Sequence, residues 1–301
     1  MKNTMQSAGS GAGSNKQHKN RFDWGKLFLG LPATIWFLFL IILPLLVTLA
    51  MSFASRDAYG RITYDWNIGN YVRFIDPLYL QILWRSFYIG LITVIICILI
   101  GYPLAYFIAR SPKKMKPVYL MLVIAPFWIN LLIRAYGWMI LLRYEGIINL
   151  FLRRIGLIEE PLQLMYNDGA VIVGLVYVFL QFMVLPLFAT IDKMDWTLLE
   201  SAQDLGAKPY NTFRHITLPL TMPGIIGGSI LTFVPAFGSF IIPRILGGSQ
   251  SLMIGNIIEN QIKVARNWPF ASSSAVILII AALIGMILYI RFSGKALIGG
   301  D

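Results

Sequence analysis

The sequence predicts an all-α integral membrane protein with six membrane-crossing helices, and three observations carry that reading. Hydrophobic residues make up 57% of the 301-residue chain and charged residues 13%, with a mean hydropathy of +0.69. A soluble domain carries about twice that share of charge. The apolar residues gather into runs of roughly 20 or more, the length a helix needs to cross the hydrocarbon core. Lys and Arg collect at the ends of these runs and in the N-terminal segment. Spans and short loops use most of the chain and leave no room for a separate soluble catalytic domain.

Residues 1–26 are polar, rich in Gly, Ser and Lys and without apolar periodicity, so a flexible cytoplasmic tail is expected there. The run from Leu27 to Phe53 is longer than a signal-peptide core and has no small-residue cleavage site after it. It reads as an uncleaved first span. Further spans are expected over Trp84–Ala109, Val118–Leu142, Ala170–Ile191, Met222–Ile245 and Ala271–Arg291, which makes residues 27–295 one transmembrane domain with both chain ends in the cytoplasm. Pro44, Pro103, Pro126, Pro186 and Pro235 fall inside or near the ends of successive spans, where neighbouring helices or a wet cavity must satisfy the freed backbone groups. Kinked spans around a central pathway are the consequence. Between the first two spans, Ala54–Leu83 holds Trp66, Tyr71, Tyr79 and Trp84, the composition of an interfacial aromatic belt. Arg143–Asp168 contains the amphipathic stretch Ile147–Arg154, which suits a short helix on the outer surface.

A net charge of +11 raises the question of nucleic acid, but no aromatic-rich basic strand pattern accompanies it. Topology accounts for it instead. With the tail, the turn at Arg110–Lys116, the segment 192–220 that contains the loop 195–220, and the C-terminus in the cytoplasm, that side holds 14 of the 25 basic residues and 6 of the 14 acids. Net +8 then faces net +3, in the direction of the positive-inside rule. Cys97 is the single cysteine, inside an apolar run, and reads as a packing residue. There is no phosphate-binding G-x-x-x-x-G-K-[ST] sequence and no metal-ligand spacing, and the two histidines, His18 and His215, lie far apart. Neither an ATPase nor a metalloenzyme is expected, and no metal or cofactor is expected on this chain.

The most sharply punctuated polar segment is Glu200–Pro219. Thr197 with Glu200 three residues later forms a candidate capping box, so a short helix is expected from Thr197, ended by Gly206. Pro209 suits the first position of a second short helix, which Pro219 and Pro223 are expected to stop. An ordinary amphipathic linker carries the same signals. The spaced order Glu200, Ser201, Ala202, Gly206, Ile216, Leu218 and Pro219, however, resembles the cytoplasmic coupling loop of ABC importer permeases, with Ser201 in place of the usual Ala. The resemblance implies a type I ABC importer permease fold and a loop that docks on a separate ATPase and binds no substrate. It further implies a second permease, two ATPase subunits that hold ATP and Mg, a periplasmic binding protein and a place in the bacterial inner membrane.

Ala125–Asn149 and Phe233–Ser272 are similar to the permeases of spermidine and putrescine importers, and Ile100–Ser111 to the putrescine type. A polyamine alternates methylenes with ammonium groups, so its path needs aromatic faces with carboxylates or carbonyls at intervals. Candidates for that path are Trp128, Asn130, Tyr136, Trp138, Gln181, Phe182, Phe237, Ser239 and Phe240; packing and interhelical bonding are the competing roles. No acid sits centrally in an expected span, and Ser239 and Arg244 occupy a segment where the similar permeases commonly carry an acid. An opine or amino-acid derivative is therefore an alternative cargo. An ion-coupled secondary transporter is the distant alternative, although the buried coupling acids and repeated halves it predicts are not seen. Arg134, inside the third expected span, must snorkel, pair or line a wet cavity. Gly247–Trp268, with three glycines and several amides, reads as an external gate or docking loop, with a plain re-entry loop as the alternative.

Overall fold

The computed structural model describes residues 24–298, apart from Ala58 and Gln250. The expected tail up to residue 23, with His18, lies outside the described residues. Contacts divide the chain after Leu46, and the two parts are taken separately. In the first part runs helix α1 (Trp24–Ser52), whose stretch from Ile35 has a mean hydropathy of 2.5 and the length to span a membrane.

The second part begins with the last turn of α1 and a short antiparallel ribbon, β1 (Ser55–Arg56) with β2 (Ile62–Thr63). Helix α2 (Gly69–Phe74) leads to α3 (Pro77–Arg110), which starts well before the expected Trp84. The cause is a cap: Asp76 accepts from the Leu78 amide at 2.9 Å, and Pro77 occupies the first turn, where it needs no donor. Tyr79, expected in the interfacial belt, is instead stacked on Phe74 and edge-on to Phe270.

The third expected span is broken. Helix α4 (Lys116–Ile124) and a 3₁₀ turn at Ala125–Trp128 meet the following segment, α5 (Leu131–Leu142) and α6 (Ile147–Arg154), at 91°. Asn130 makes the break, with extended backbone and a side-chain oxygen that accepts from the Leu132 amide at 2.8 Å. An apolar run hides such a break because its composition does not change there.

Helix α7 (Asp168–Ile191) is apolar on every side and packs against both α3 and α10 (Leu218–Phe237). Met183, fully buried, lies where the three meet: a Cβ on Gly101 of α3 would sit 3.1 Å from its Cγ, and one on Gly228 of α10 only 2.8 Å from its sulfur. One turn away, a Cβ on Gly224 would lie 2.7 Å from Thr190 Oγ1. Small residues thus let these helices approach backbone to backbone, the usual basis of helix association in lipid.

Between α7 and α10 lie α8 (Thr197–Asp204), α9 (Pro209–Thr212) and a π turn over Phe213–Thr217. Pro219 and Pro223 do not stop the helix as expected. Pro209–Phe237 runs on as one span, because the wide π turn relieves the clash a proline ring makes with the carbonyl four residues back. That span ends at Phe237, not Ile245, and a second π turn follows at Pro243–Gly247. Gly247–Trp268 is not a plain loop, since it contains α11 (Ile254–Lys263). The last helix, α12 (Trp268–Ile298), packs on α11 and α10. Among the described residues five helices are long and apolar enough to cross a membrane, and the bent pair makes a sixth.

Candidate functional site

Two regions are built differently from the packed spans. The first is the loop between α7 and α10. Helix α8 begins at Thr197 as the sequence predicts, but the cap is Asp195: its carboxylate accepts from the Thr197 amide at 3.0 Å and from the Thr197 hydroxyl at 2.8 Å. Those hydrogen bonds hold the exposed Asp195 carboxyl below its ordinary range. Thr197 does not act as the cap of a capping box, which leaves Glu200 exposed and free of that duty. Gly206 ends the turn with φ +86°, a left-handed conformation that favours glycine.

The tip is apolar where water would meet it. Leu205 is 90% exposed and Tyr210 67%, beside exposed Glu200 and Ser201 and half-buried Ala202. Ile216, Leu218 and Pro219 are half-buried at the root, and Leu218 packs on the α3–α7–α10 core. Three joints link the spans at or near the root of the loop. Arg110, at the end of α3, lies 5.4 Å over the Trp196 ring and 5.7 Å over Tyr106, Lys116 pairs with Asp192 at 2.6 Å, and Tyr102 shares a hydrogen bond with Thr221 at 3.0 Å.

The second region joins the end of α10 to α11. The chain breaks at Gly238–Ser239, and the first turn of α11 nests into that break: a Cβ on Gly255 would lie 2.5 Å from the Gly238 carbonyl oxygen. Asn256 donates to the Phe240 carbonyl at 2.8 Å and accepts from the Met253 amide at 3.1 Å. Ser86 of α3 accepts from the Ile254 amide at 2.8 Å while donating to the Ile82 carbonyl at 2.8 Å. Nearby, Asp168 accepts from Arg85 Nη2 and from Ser251, each at 2.7 Å, which joins α3, α7 and the 248–253 turn.

The sequence-predicted path residues fall in separate places. Trp128, Asn130 and Tyr136 are exposed around the first break, and half-buried Ser239 with exposed Phe240 marks the second. Helix α5 packs on the π turn after that second break, which brings the segments that follow the two breaks together. Trp138 is edge-on to Tyr177, and Phe182 is edge-on to Phe127. Gln181 is buried, donates to the Val178 carbonyl at 3.0 Å, and lines an apolar cavity of about 310 Å³ between α3, α4 and α7. Phe237 is enclosed by Phe87 and Phe233, with 1% exposure in this conformation. Arg134 is buried on α5, and its Nε and Nη1 have no hydrogen-bond partner among the described residues. Sequence reasoning missed Ser86, Asp195, Leu205 and Asn256. The amphipathic spacing of Asn256, Glu259 and Lys263 was the available signal for α11.

Five helices of membrane-crossing length and composition among the described residues, a bent pair that makes a sixth, and an exposed two-helix loop between two of them describe a multi-pass membrane protein. The chain belongs to the binding-protein-dependent transport system inner membrane component family, which it matches over residues 98–296. It is 42% identical over 258 residues to the spermidine/putrescine transport system permease protein PotB of Escherichia coli (strain K12), covering 86% of this chain and 94% of that one. PotB of Haemophilus influenzae is 41% identical over 263 residues, 87% and 91% of the two chains. The inner membrane ABC transporter permease protein YdcU of E. coli (strain K12) is 30% identical over 271 residues, 85% and 86%. In fold, a bacterial ABC transporter involved in the import of the acidic polysaccharide alginate superposes with a TM-score of 0.72 at 19% identity, over 91% of this chain and 96% of that one. The MetNI methionine ABC transporter superposes at 0.53 and 18%, over 72% and 95%.

The protein is thus a multi-pass permease subunit of an inner-membrane ABC importer, a transport subunit whose ATPase lies on separate chains. Such a permease works with an ATPase and a substrate-binding protein.

Proposed function

We propose that this subunit imports polyamines of the spermidine and putrescine type. The observation that carries the cargo is the identity of 42% over 86% of the chain to permeases named for that substrate. Arg244, which stands where the similar permeases commonly carry an acid, has one beside it, pairing with Glu259 at 2.8 Å. Exposed Trp128, Tyr136 and Phe240 offer aromatic faces at the two breaks for ammonium and methylene groups.

In this reading the chain ends and the α8–α9 loop face the cytoplasm, and a second, homologous permease completes the path. Two ATPase subunits hold ATP and Mg and take the α8–α9 loop with its Glu200, Ser201, Ala202 and Gly206. A periplasmic binding protein docks on the opposite side. ATP binding draws the two coupling loops together, and the joints at Arg110, Lys116 and Tyr102 carry that displacement into α3, α4 and α10. The path then turns from cytoplasm-facing to periplasm-facing, and hydrolysis resets it. Each step stabilises one of two conformations over the other, and none forms a covalent intermediate.

The test is ATP-driven uptake by the reconstituted complex with its binding protein, comparing spermidine, putrescine, an amino-acid derivative and an acidic solute at equal concentration. Selective uptake of a polyamine is expected. Uptake of another solute alone overturns the cargo and leaves the coupling loop untouched.

A further inference from the structure

The expected polyamine path has no acid central to a span, yet the fold carries one inward from outside the spans. Helix α11 is too short to cross a membrane, and its first turn is locked into the break after α10 by Ser86, Asn256 and Gly255. One turn further on stands Glu259, with a side chain only 9% exposed. Its Oε1 accepts from Arg244 at 2.8 Å and from Lys263 at 2.9 Å. Its Oε2 is buried and has no hydrogen-bond partner among the described residues. Burial pushes the Glu259 carboxyl up, but hydrogen bonds from Lys263 and Arg244 and the attraction of both cations outweigh it and hold the group below its ordinary range.

A carboxylate offers about four acceptor sites, and here both cations share one oxygen. An unsatisfied buried carboxylate oxygen is costly, so a structure that keeps one is poised for a further donor. The two donors in place are also the movable ones: the side chains of Arg244 and Lys263 are 57% and 67% exposed. Arg244 stands in the π turn that follows the α10 break, so exchanging it for another cation would free that turn from α11. A primary or secondary ammonium group supplies both the charge and the N–H.

We propose that Glu259 is the subsite for one ammonium group of the transported polyamine, which binds Oε2 and competes with Arg244 for the carboxylate. The inference rests on the polyamine reading above. Oε2 lies below the surface, so the ammonium reaches it during the conformational change of transport.

The test is spermidine uptake by the full complex in proteoliposomes, with the binding protein saturated with spermidine. The wild-type complex is measured first; if it takes up no polyamine, the cargo reading falls and this inference with it. Given wild-type uptake, Glu259→Gln is expected to lower it about tenfold or more, as for a lost charge-assisted hydrogen bond. Glu259→Asp is expected to retain part of it. Unchanged uptake in Glu259→Gln overturns the subsite alone. A structural ion pair is told apart by the double variant Arg244→Gln with Glu259→Gln, which leaves neither charge unpaired. It stays defective if Glu259 receives substrate, and recovery to the wild-type rate overturns the proposal. Should Glu259→Gln fail to assemble, Arg244→Gln decides. Freed from its competitor, Glu259 is expected to support uptake at or above the wild-type rate, and a fall below one tenth overturns the proposal.

Discussion

Gly206 shows how much of the α8–α9 loop rests on a single backbone angle. A Cβ there would meet no atom within 4 Å, so the constraint is conformational and not one of space. Placing an L side chain at φ +86° costs about 1–2 kcal/mol. Gly206→Ala is therefore expected to weaken co-purification of the ATPase about tenfold while membrane insertion stays normal. Wild-type recovery of the ATPase would show that the angle is not needed. Leu205→Asp is expected to act more strongly, because it places a charge where the loop presents its most exposed apolar side chain. Asp195 gives a finer test. Asp195→Asn keeps an acceptor for the Thr197 amide and should preserve ATPase association, whereas Asp195→Ala loses the cap and should loosen it. Equal behaviour of the two would remove the capping role.

Among the elements, the α7–α10 contact leaves no room for an added side chain at Gly228. A Cβ on Gly228 would lie 3.1 Å from the Met183 carbonyl oxygen as well as close to its sulfur, and backbone cannot move aside as a thioether can. Gly228→Val is expected to destabilise the detergent-solubilised subunit by about 1–3 kcal/mol or more, read as a lower midpoint of thermal unfolding. The nested turn at α11 makes a separate prediction. Asn256→Ala leaves the Phe240 carbonyl and the Met253 amide without their side-chain partner. A loss of about 1–3 kcal/mol is expected for each group left buried and unsatisfied. Protease cleavage between 248 and 268 in Asn256→Ala but not in the wild type would locate the loosening, and equal resistance would argue against it.

For the whole molecule, the proposed function has ATP-driven movement pass from the loop into the spans, and the cation–π joint of Arg110 with Trp196 and Tyr106 is the most separable link. Arg110→Ala leaves the loop tip unchanged. It is expected to keep ATPase association and ATP hydrolysis while lowering solute moved per ATP severalfold. A fall in both together would mean that the joint serves assembly.

Much of this design was legible from the chain alone, and the limits are physical. Composition and run length pointed to the membrane class, and Gly206 and Pro209 marked the turn between α8 and α9 because left-handed backbone and a missing N–H are properties of single residues. Local chemistry also placed the first and fourth spans. The cap was misassigned to Thr197 because Asp195, two residues upstream, accepts from the Thr197 amide and hydroxyl, and spacing alone does not choose between the two residues. The break at Asn130 and the continuity through Pro219 were hidden because both depend on backbone dihedrals inside apolar sequence. Glu259 is the clearest case for tertiary structure. By sequence it lies outside every span, and only the nesting of Gly255 against the Gly238 carbonyl, with Asn256 bonded to Phe240, carries its carboxylate into a buried site beside Arg244. Sequence determined which residues prefer lipid, turns or charge, since those preferences act over a few residues. Tertiary structure decided which charges meet, because Arg244 and Glu259 are brought together by the close approach of two backbones that no local pattern encodes.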